Sequence, residues 1–348
     1  MTAIRKVDQN NEIIPRSAWI TVNRACNFRC SGCYAKNTGY GLKQSMSFEL
    51  SKKIANLVSS LGISRITIIG GEPTLWNNLS NFNKFCIDKG LQTRIVTNAM
   101  RFGDDNFWLD YTKSPNTRAG VSIKAFDKKS LKDITGIDSF EFVKKGLQRA
   151  ISHFKCGVST VYSTTSASHI LNITKFAMDC GAKSISISPC TPRFCNGKVD
   201  GAYVVEPVAM TKHLIKIYPK LVEITNGNIV FLMKLPLCLW PDDFVKNLIE
   251  ENQINTICQL QHRSGIIFDV DGKLMLCNSL FDYPVGKYGV DFFNKKSLIA
   301  LLNNRKTLDV YDRLTSYPSK KCMNCNRYDV CAGGCPLFWA LFDPESLI

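Results

Sequence analysis

Three cysteines stand close together early in the chain, in the run Arg24-Ala-Cys26-Asn-Phe-Arg-Cys30-Ser-Gly-Cys33-Tyr34. The spacing, C-x3-C-x2-C, suits three thiolates on one tight loop that hold three corners of a cubane iron–sulfur cluster. A four-iron cluster with three protein ligands keeps one iron open, and an open metal position is where a reacting molecule binds. The competing reading is a structural zinc site, which ordinarily takes four ligands; no fourth Cys or His lies within the loop. A second motif follows in Gly70-Gly71-Glu72-Pro73-Thr74. Paired glycines let backbone groups come close to a ligand, and Glu72 offers a carboxylate to an ammonium group. Late in the chain Cys322, Cys325, Cys331 and Cys335 have the spacing C-x2-C-x5-C-x3-C, preceded by Cys258, Gly272 and Cys277. The C-x2-C half would suit a zinc ribbon, and the remaining spacing does not.

These motifs need a frame. Short β-branched runs at residues 18–23, 65–69, 92–97, 119–124, 157–163 and 184–188 read as strands. Helical periodicity lies between and after them, at 48–61, 79–89, 139–153, 169–180 and 207–218. Alternating β–α units imply a parallel sheet with helices outside, and in such folds chemistry gathers at the C-terminal ends of the strands. The Cys26–Cys33 loop leaves the first predicted strand, and Gly70–Thr74 leaves the second. From Asn226 the alternation is expected to stop and a small Cys-rich unit to begin. The predicted division is a lead-in at 1–16, a core at 17–226 and an auxiliary unit at 227–348.

Composition narrows the setting. The chain has 348 residues and 15 cysteines, many for a protein kept in a reducing compartment, so clustered thiols point to metal or catalysis rather than to disulfides. The polar start has no apolar signal core, and no apolar run is long enough to span a bilayer. The expectation is a cytoplasmic protein with no membrane partner. The formal net charge of +15 is spread along the chain without a nucleic-acid-like arm, so nucleic acid is not the expected partner. A basic surface and an attraction for an acidic partner, whether peptide, reductase or RNA, both fit it.

Taken together, the C-x3-C-x2-C loop after one strand and Gly-Gly-Glu-Pro after the next resemble the radical SAM superfamily. That resemblance covers roughly residues 17–226 and implies an α/β fold, a partial (β/α)6 TIM-like barrel. It implies a catalytic [4Fe-4S] cluster on Cys26, Cys30 and Cys33, with S-adenosylmethionine bound at Gly70, Gly71, Glu72 and Pro73. Thr97-Asn98, at the third strand end, is similar to a Thr/Ser-Asn pair of the family, which brings Asn98 to the cofactor. Ser122-Ile-Lys124 ends the fourth strand, where many peptide-modifying relatives carry an aspartate in place of Lys124. The lysine, with Asp127 and Thr135-Gly136 after it, is more similar to the glycyl-radical activating enzymes. Lys124 pairs with the cofactor carboxylate in one reading and is a surface lysine in the other. The often aromatic position before Cys33 is Gly32, which leaves adenine contact to backbone or to Tyr34.

The late cysteines resemble the SPASM extension of radical SAM enzymes, a small Cys-rich C-terminal domain that carries one or two auxiliary [4Fe-4S] clusters. Carried over, the first auxiliary set is Cys258, Cys277 and Cys335, with Cys238 as a candidate fourth ligand. The second is Cys322, Cys325 and Cys331. The family's further downstream cysteine has no counterpart after Cys335, so Asp343, Glu345 or an open iron is expected there.

The resemblance implies a peptide or protein maturase, with an electron donor such as flavodoxin or ferredoxin. Relatives of this type install cross-links, thioethers or oxidised side chains. With about sixteen residues before the first strand, leader binding is expected to need a separate protein or the barrel itself. A radical enzyme acting on a small metabolite, a glycyl-radical activase and a redox carrier are the alternatives. Cys190 and Cys195, after the sixth strand, are either hydrogen donors near the chemistry or loop cysteines without a role. His153, His169, His213 and His262 show no paired spacing and read as structural.

Overall fold

The structure is a computed structural model and describes residues 12–35, 44–195 and 197–348. The first part alternates strands and helices: β1 (Ser17–Thr21), α1 (Phe48–Ser60), β2 (Arg65–Ile69), α2 (Leu79–Asp88), β3 (Gln92–Thr97), α3 (Asp105–Tyr111), β4 (Arg118–Ile123), α4 (Lys128–Thr135), α5 (Phe140–His153), β5 (Lys155–Tyr162), α6 (Ile170–Asp179) and β6 (Ile185–Pro189). Local sequence explains these limits. Ser47 caps α1 by accepting from the Leu50 N–H at 3.2 Å, and Ile54, Ala55, Leu57 and Val58 form its buried stripe. Asp127 and Ser130 make a reciprocal capping box at the start of α4, which ends at Gly136. In β2 the run Ile66–Ile69 is buried throughout, as expected for a parallel strand covered on both faces.

A short antiparallel hairpin, β7 (Arg193–Cys195) and β8 (Lys198–Asp200), separates β6 from α7 (Pro207–Thr225). The helix predicted to stop ahead of Pro219 continues through it to Thr225. The turns beyond the proline bury Leu221 and Thr225 in the core, and Asn226 closes the helix in a left-handed conformation, φ 47°. This burial offsets the hydrogen bond that the proline cannot donate.

Alternation does not stop at Asn226. β9 (Ile229–Leu232), α8 (Asp242–Glu250) and β10 (Ile254–Asn255) extend the parallel sheet beyond β6. β11 (Gly265–Phe268) then returns to the opposite side and pairs in parallel with β1, from Ser17 opposite Gly265 to Ile20 opposite Phe268. β12 (Lys273–Met275) and β13 (Gly286–Lys287) add antiparallel, and α9 (Lys295–Leu302) and α10 (Arg305–Leu314) follow. The full order is β10-β9-β6-β5-β4-β3-β2-β1-β11-β12-β13. Among the described residues the edge strands β10 and β13 do not pair with each other, and no closed barrel is formed. The fold is α/β, a parallel sheet with a Cys-rich C-terminal region. One core joins both parts, from Ile20, Ile68 and Val121 to Phe268, Phe292 and Phe338. No helix among the described residues is long and apolar enough to cross a membrane.

Candidate active site

The C-terminal ends of the parallel strands surround a cavity of about 350 Å³. Cys26, Cys30, Cys33, Tyr34, Gly70, Gly71, Glu72, Asn98, Ser122 and Lys124 all line it. Pro73 does not; it opens a short 3-10 turn and is buried.

The cysteine loop is held from four sides. Ahead of it the Arg24 guanidinium pairs with the buried Asp269 carboxylate, just past β11, and lies over the Phe281 ring at 5.4 Å. In its middle the Arg29 N–H donates to the Thr135 carbonyl at 2.8 Å and the Ser31 N–H to the Ile134 carbonyl at 3.1 Å, fixing it to the end of α4. At its close Tyr34 stacks on Phe281, 5.8 Å between centroids. On the fourth side the β2 end lies directly beneath. The Gly71 N–H donates to the Asn23 carbonyl at 3.0 Å and the Glu72 N–H to the Ala25 carbonyl at 2.8 Å. A Cβ on Gly70 would stand 2.2 Å from Asn23 Oδ1, and one on Gly71 2.2 Å from the Ala25 carbonyl oxygen. The paired glycines therefore let the cysteine loop itself approach; the partner in that approach is the chain.

Glu72 is buried, with 1% of its surface exposed. Its Oε1 accepts from Thr74 N at 3.1 Å, Thr74 Oγ1 at 2.7 Å and Thr97 Oγ1 at 2.7 Å, and its Oε2 from Asn98 N at 2.8 Å. Burial pushes the carboxyl upward, and these donors oppose it. A carboxylate offers about four acceptor positions, two on each oxygen, so Oε2 retains one. Asn98 also donates from Nδ2 to Asn27 Oδ1 at 2.7 Å, joining the β3 end to the cysteine loop. Lys124 donates to Ser122 Oγ at 2.8 Å.

The donor set fits an iron–sulfur cluster. Burial, followed by the Glu72 charge, pushes the Cys26 thiol up to about 12, and burial raises Cys30 against the pull of Lys124. Thiols so placed ionise when a metal supplies the positive charge. Among the described residues no three His, Cys, Asp or Glu side chains converge on a single ion. Thiolates on a cluster take separate irons and need no such convergence.

The late cysteines form two sets. Burial raises Cys277 and pushes Cys335 up to about 12; the charge of Cys258 raises both further, and that of Cys277 also acts on Cys335. Lys234 lies beside this trio and also lines the main cavity, as do Asn278 and Ser279 after Cys277. Cys322, Cys325 and Cys331 line a second cavity of about 140 Å³, and Cys238 lies there with them rather than with Cys258. Neither acid expected as a substitute lines that cavity. Asp343 caps the last helical turn through the Glu345 N–H, and Glu345 accepts from Ser319 Oγ at 3.1 Å and Lys320 N at 3.0 Å.

Cys190 follows β6, is buried and lines the main cavity. The side chain of Cys195 lies outside the described residues. Tyr203 fills the space beside Gly32, its Cβ 3.4 Å from where a Gly32 Cβ would stand. Ser163, Thr165 and Ser166 at the β5 end, Lys234 past β9 and Asn278–Ser279 also line the cavity and escaped sequence reasoning. The polar run after Tyr162 was a usable signal. Lys234 had one only for a reader who had seen β9. Of the histidines, His213 Nδ1 lies 2.5 Å from Tyr162 Oη and His262 Nδ1 2.8 Å from the Cys258 carbonyl, both structural contacts.

A thiol trio and a glycine-rich turn stand at adjacent strand ends of the sheet, and residues 20–177 match the Radical SAM superfamily. The chain carries a radical SAM domain. It is 22% identical over 333 residues to a cysteine-type anaerobic sulfatase-maturating enzyme of Clostridium novyi, covering 89% of this chain and 84% of that one. It is 32% identical over 148 residues to a GTP 3',8-cyclase of Haemophilus influenzae, covering 41% of this chain and 42% of the cyclase; the chain thus spans less than half the length of that relative. In structure it is similar to Streptococcus suis SuiB bound to precursor peptide SuiA, with a TM-score of 0.70 at 17% identity, covering 99% of this chain and 77% of SuiB.

Proposed function

We propose that this chain reductively cleaves S-adenosylmethionine and uses the resulting radical to modify a peptide or protein. The observation that carries the reading is the single cavity onto which Cys26, Cys30, Cys33, the Gly-Gly-Glu turn and Lys124 all open. A [4Fe-4S] cluster on the three cysteines would supply one electron to the sulfonium, and the 5'-deoxyadenosyl radical would take a hydrogen from the substrate. The residues of the chain do the rest. Glu72 keeps one acceptor position for the cofactor ammonium, Lys124 offers a cation to its carboxylate, and Tyr34, backed by Phe281, presents a face for the adenine. Phe28, Ile69, Val96 and Val161 make much of the lining apolar and exclude water from the reacting centre. Cys258, Cys277, Cys335 and the C-terminal set are read as auxiliary cluster ligands of a SPASM-type unit.

The extent of similarity supports a peptide substrate. The match to the sulfatase-maturating enzyme covers 89% of the chain and so runs through both halves, whereas the match to the cyclase covers 41% of it. That shorter, more identical match is what favours a small-molecule substrate instead. We read the protein as cytoplasmic, with an electron donor such as flavodoxin or ferredoxin. Anaerobic incubation with reductant, S-adenosylmethionine and candidate peptides, followed by mass spectrometry, tests the proposal. A peptide changed in mass alongside 5'-deoxyadenosine supports it. Turnover stimulated only by a small metabolite transfers the reading to that class, and no cofactor cleavage under any condition removes it.

A further inference from the structure

We propose that Cys238 is the fourth thiolate of the C-terminal set, so that Cys238, Cys322, Cys325 and Cys331 together hold one cluster. This rests on the reading that the late cysteines bind iron and sulfide. It departs from the sequence-based placing of Cys238 beside Cys258, Cys277 and Cys335, and leaves that set with three thiols.

The four side chains line one small cavity, together with Pro236, Leu237, Tyr328 and Gly333. Cys238 arrives there because the chain around it is clamped on both sides. Upstream, the Cys335 N–H donates to the Lys234 carbonyl at 2.7 Å. Gly334 lies so tightly against that segment that a Cβ would stand 2.9 Å from the Lys234 carbonyl oxygen and 2.9 Å from the Pro236 nitrogen. With φ at 76° and no room for a side chain, glycine is the residue that position accepts. Downstream, Arg327 holds Asp242 at the start of α8 with two bonds of 2.9 Å, a forked guanidinium–carboxylate pair. Arg327 belongs to the loop between Cys325 and Cys331, so both flanks of Cys238 are tied to the segment that carries the other three thiols.

Between the clamps the backbone already serves a sulfur. The Leu237 N–H donates to Cys331 Sγ at 3.2 Å. Such N–H···S contacts stabilise a thiolate and tune a bound cluster. Four thiols around one cavity complete the ligand set that a four-iron cluster takes when all its irons are protein-bound. Cys238 is exposed, so its replacement disturbs little packing.

The test compares anaerobically reconstituted full-length chains by iron and sulfide content and by electron paramagnetic resonance. The wild type, Cys238→Ala, a triple variant with Cys322, Cys325 and Cys331 changed to alanine, and that triple variant with Cys238→Ala are prepared in parallel. The triple variant should lose about four irons per chain. Cys238→Ala alone should lose at least about one iron and alter the auxiliary signal, and in the triple background it should lose nothing more. Cys238→Ser, checked for wild-type circular dichroism, repeats the comparison with an oxygen ligand and guards against a folding defect. Unchanged iron and spectra in both Cys238 variants would overturn the assignment. A loss of equal size in the triple background would also overturn it and return Cys238 to the other set. A triple variant with full iron would show that the C-terminal set holds no cluster. 5'-Deoxyadenosine formation, measured separately, reports on the Cys26–Cys33 loop and keeps failure here apart from failure of the main reading.

Discussion

Glu72→Gln removes one carboxylate oxygen and keeps the shape of the side chain. If the amide oxygen takes the place of Oε1, the donors at 3.1, 2.7 and 2.7 Å keep their acceptor. The amide NH2 then faces the Asn98 N–H across the 2.8 Å where a bond stood, donor against donor. In the opposite rotamer the amide NH2 faces the Thr74 N–H, again donor against donor, while the Thr74 and Thr97 hydroxyls can turn to accept from it. A lost hydrogen bond to a charged acceptor costs roughly 1.5–3 kcal/mol, and a stranded buried N–H roughly 1–3 more. Burying a neutral group instead of an anion offsets part of this. The net expectation is a loss of about 2 kcal/mol at the junction of β2 and β3. Hydrogen exchange resolved to the Asn98 amide should show protection reduced by about 30-fold, because each 1.4 kcal/mol is a factor of ten. A titration with S-adenosylmethionine in parallel should show affinity lowered by about tenfold or more. Unchanged Asn98 protection together with an unchanged urea midpoint would refute the structural argument. Affinity lost with protection intact would mean that Glu72 acts on the ligand alone.

Cys30→Ala should abolish 5'-deoxyadenosine formation while circular dichroism stays native; cofactor cleavage at the normal rate would remove the loop from the chemistry. Gly71→Ala places a methyl 2.2 Å from the Ala25 carbonyl oxygen and should cost about 1–3 kcal/mol, with iron lost from the Cys26–Cys33 loop and retained in the late sets. Asp269→Ala removes the carboxylate that pairs with the Arg24 guanidinium and should lower iron occupancy at the same loop; full occupancy would show that this pair does not position it. If the net charge of +15 recruits acidic peptides, their affinity should fall as salt rises past about 0.15 M, where screening acts over roughly 8 Å, while peptide-free cofactor cleavage changes little.

The β–α core was legible in the sequence. The predicted strands from 18–23 to 184–188 meet β1 to β6 within about two residues at most ends, because each is a β-branched run long enough to register a pattern. The convergence of Cys26, Cys30 and Cys33 with the Gly-Gly-Glu turn was legible for a similar reason, since their spacing is local. What escaped depends on distance along the chain. β9 and β10 have four and two residues, too few to show a period, and the pairing of β11 with β1 joins positions that no local window contains. Lys234, Asn278 and Ser279 reach the cavity only through those connections. The cavity that Cys238 lines escaped for the same reason: its nearest cysteine in sequence is Cys258, and contacts far along the chain bring it beside Cys322, Cys325 and Cys331.

The parallel pairing of β1 with β11, and the grip of Asp269 on Arg24, also set an order of events during biosynthesis. The cysteine loop leaves a ribosome well ahead of β11, yet one of its walls is Phe281 and one of its anchors Asp269. At roughly 5–20 residues per second the loop waits on the order of 10–50 s for them. Through that interval Cys26, Cys30 and Cys33 are three flexible thiols without a finished cradle. If these thiols hold a cluster, its loading belongs after translation rather than during it, and truncated chains that stop short of β11 should emerge colourless.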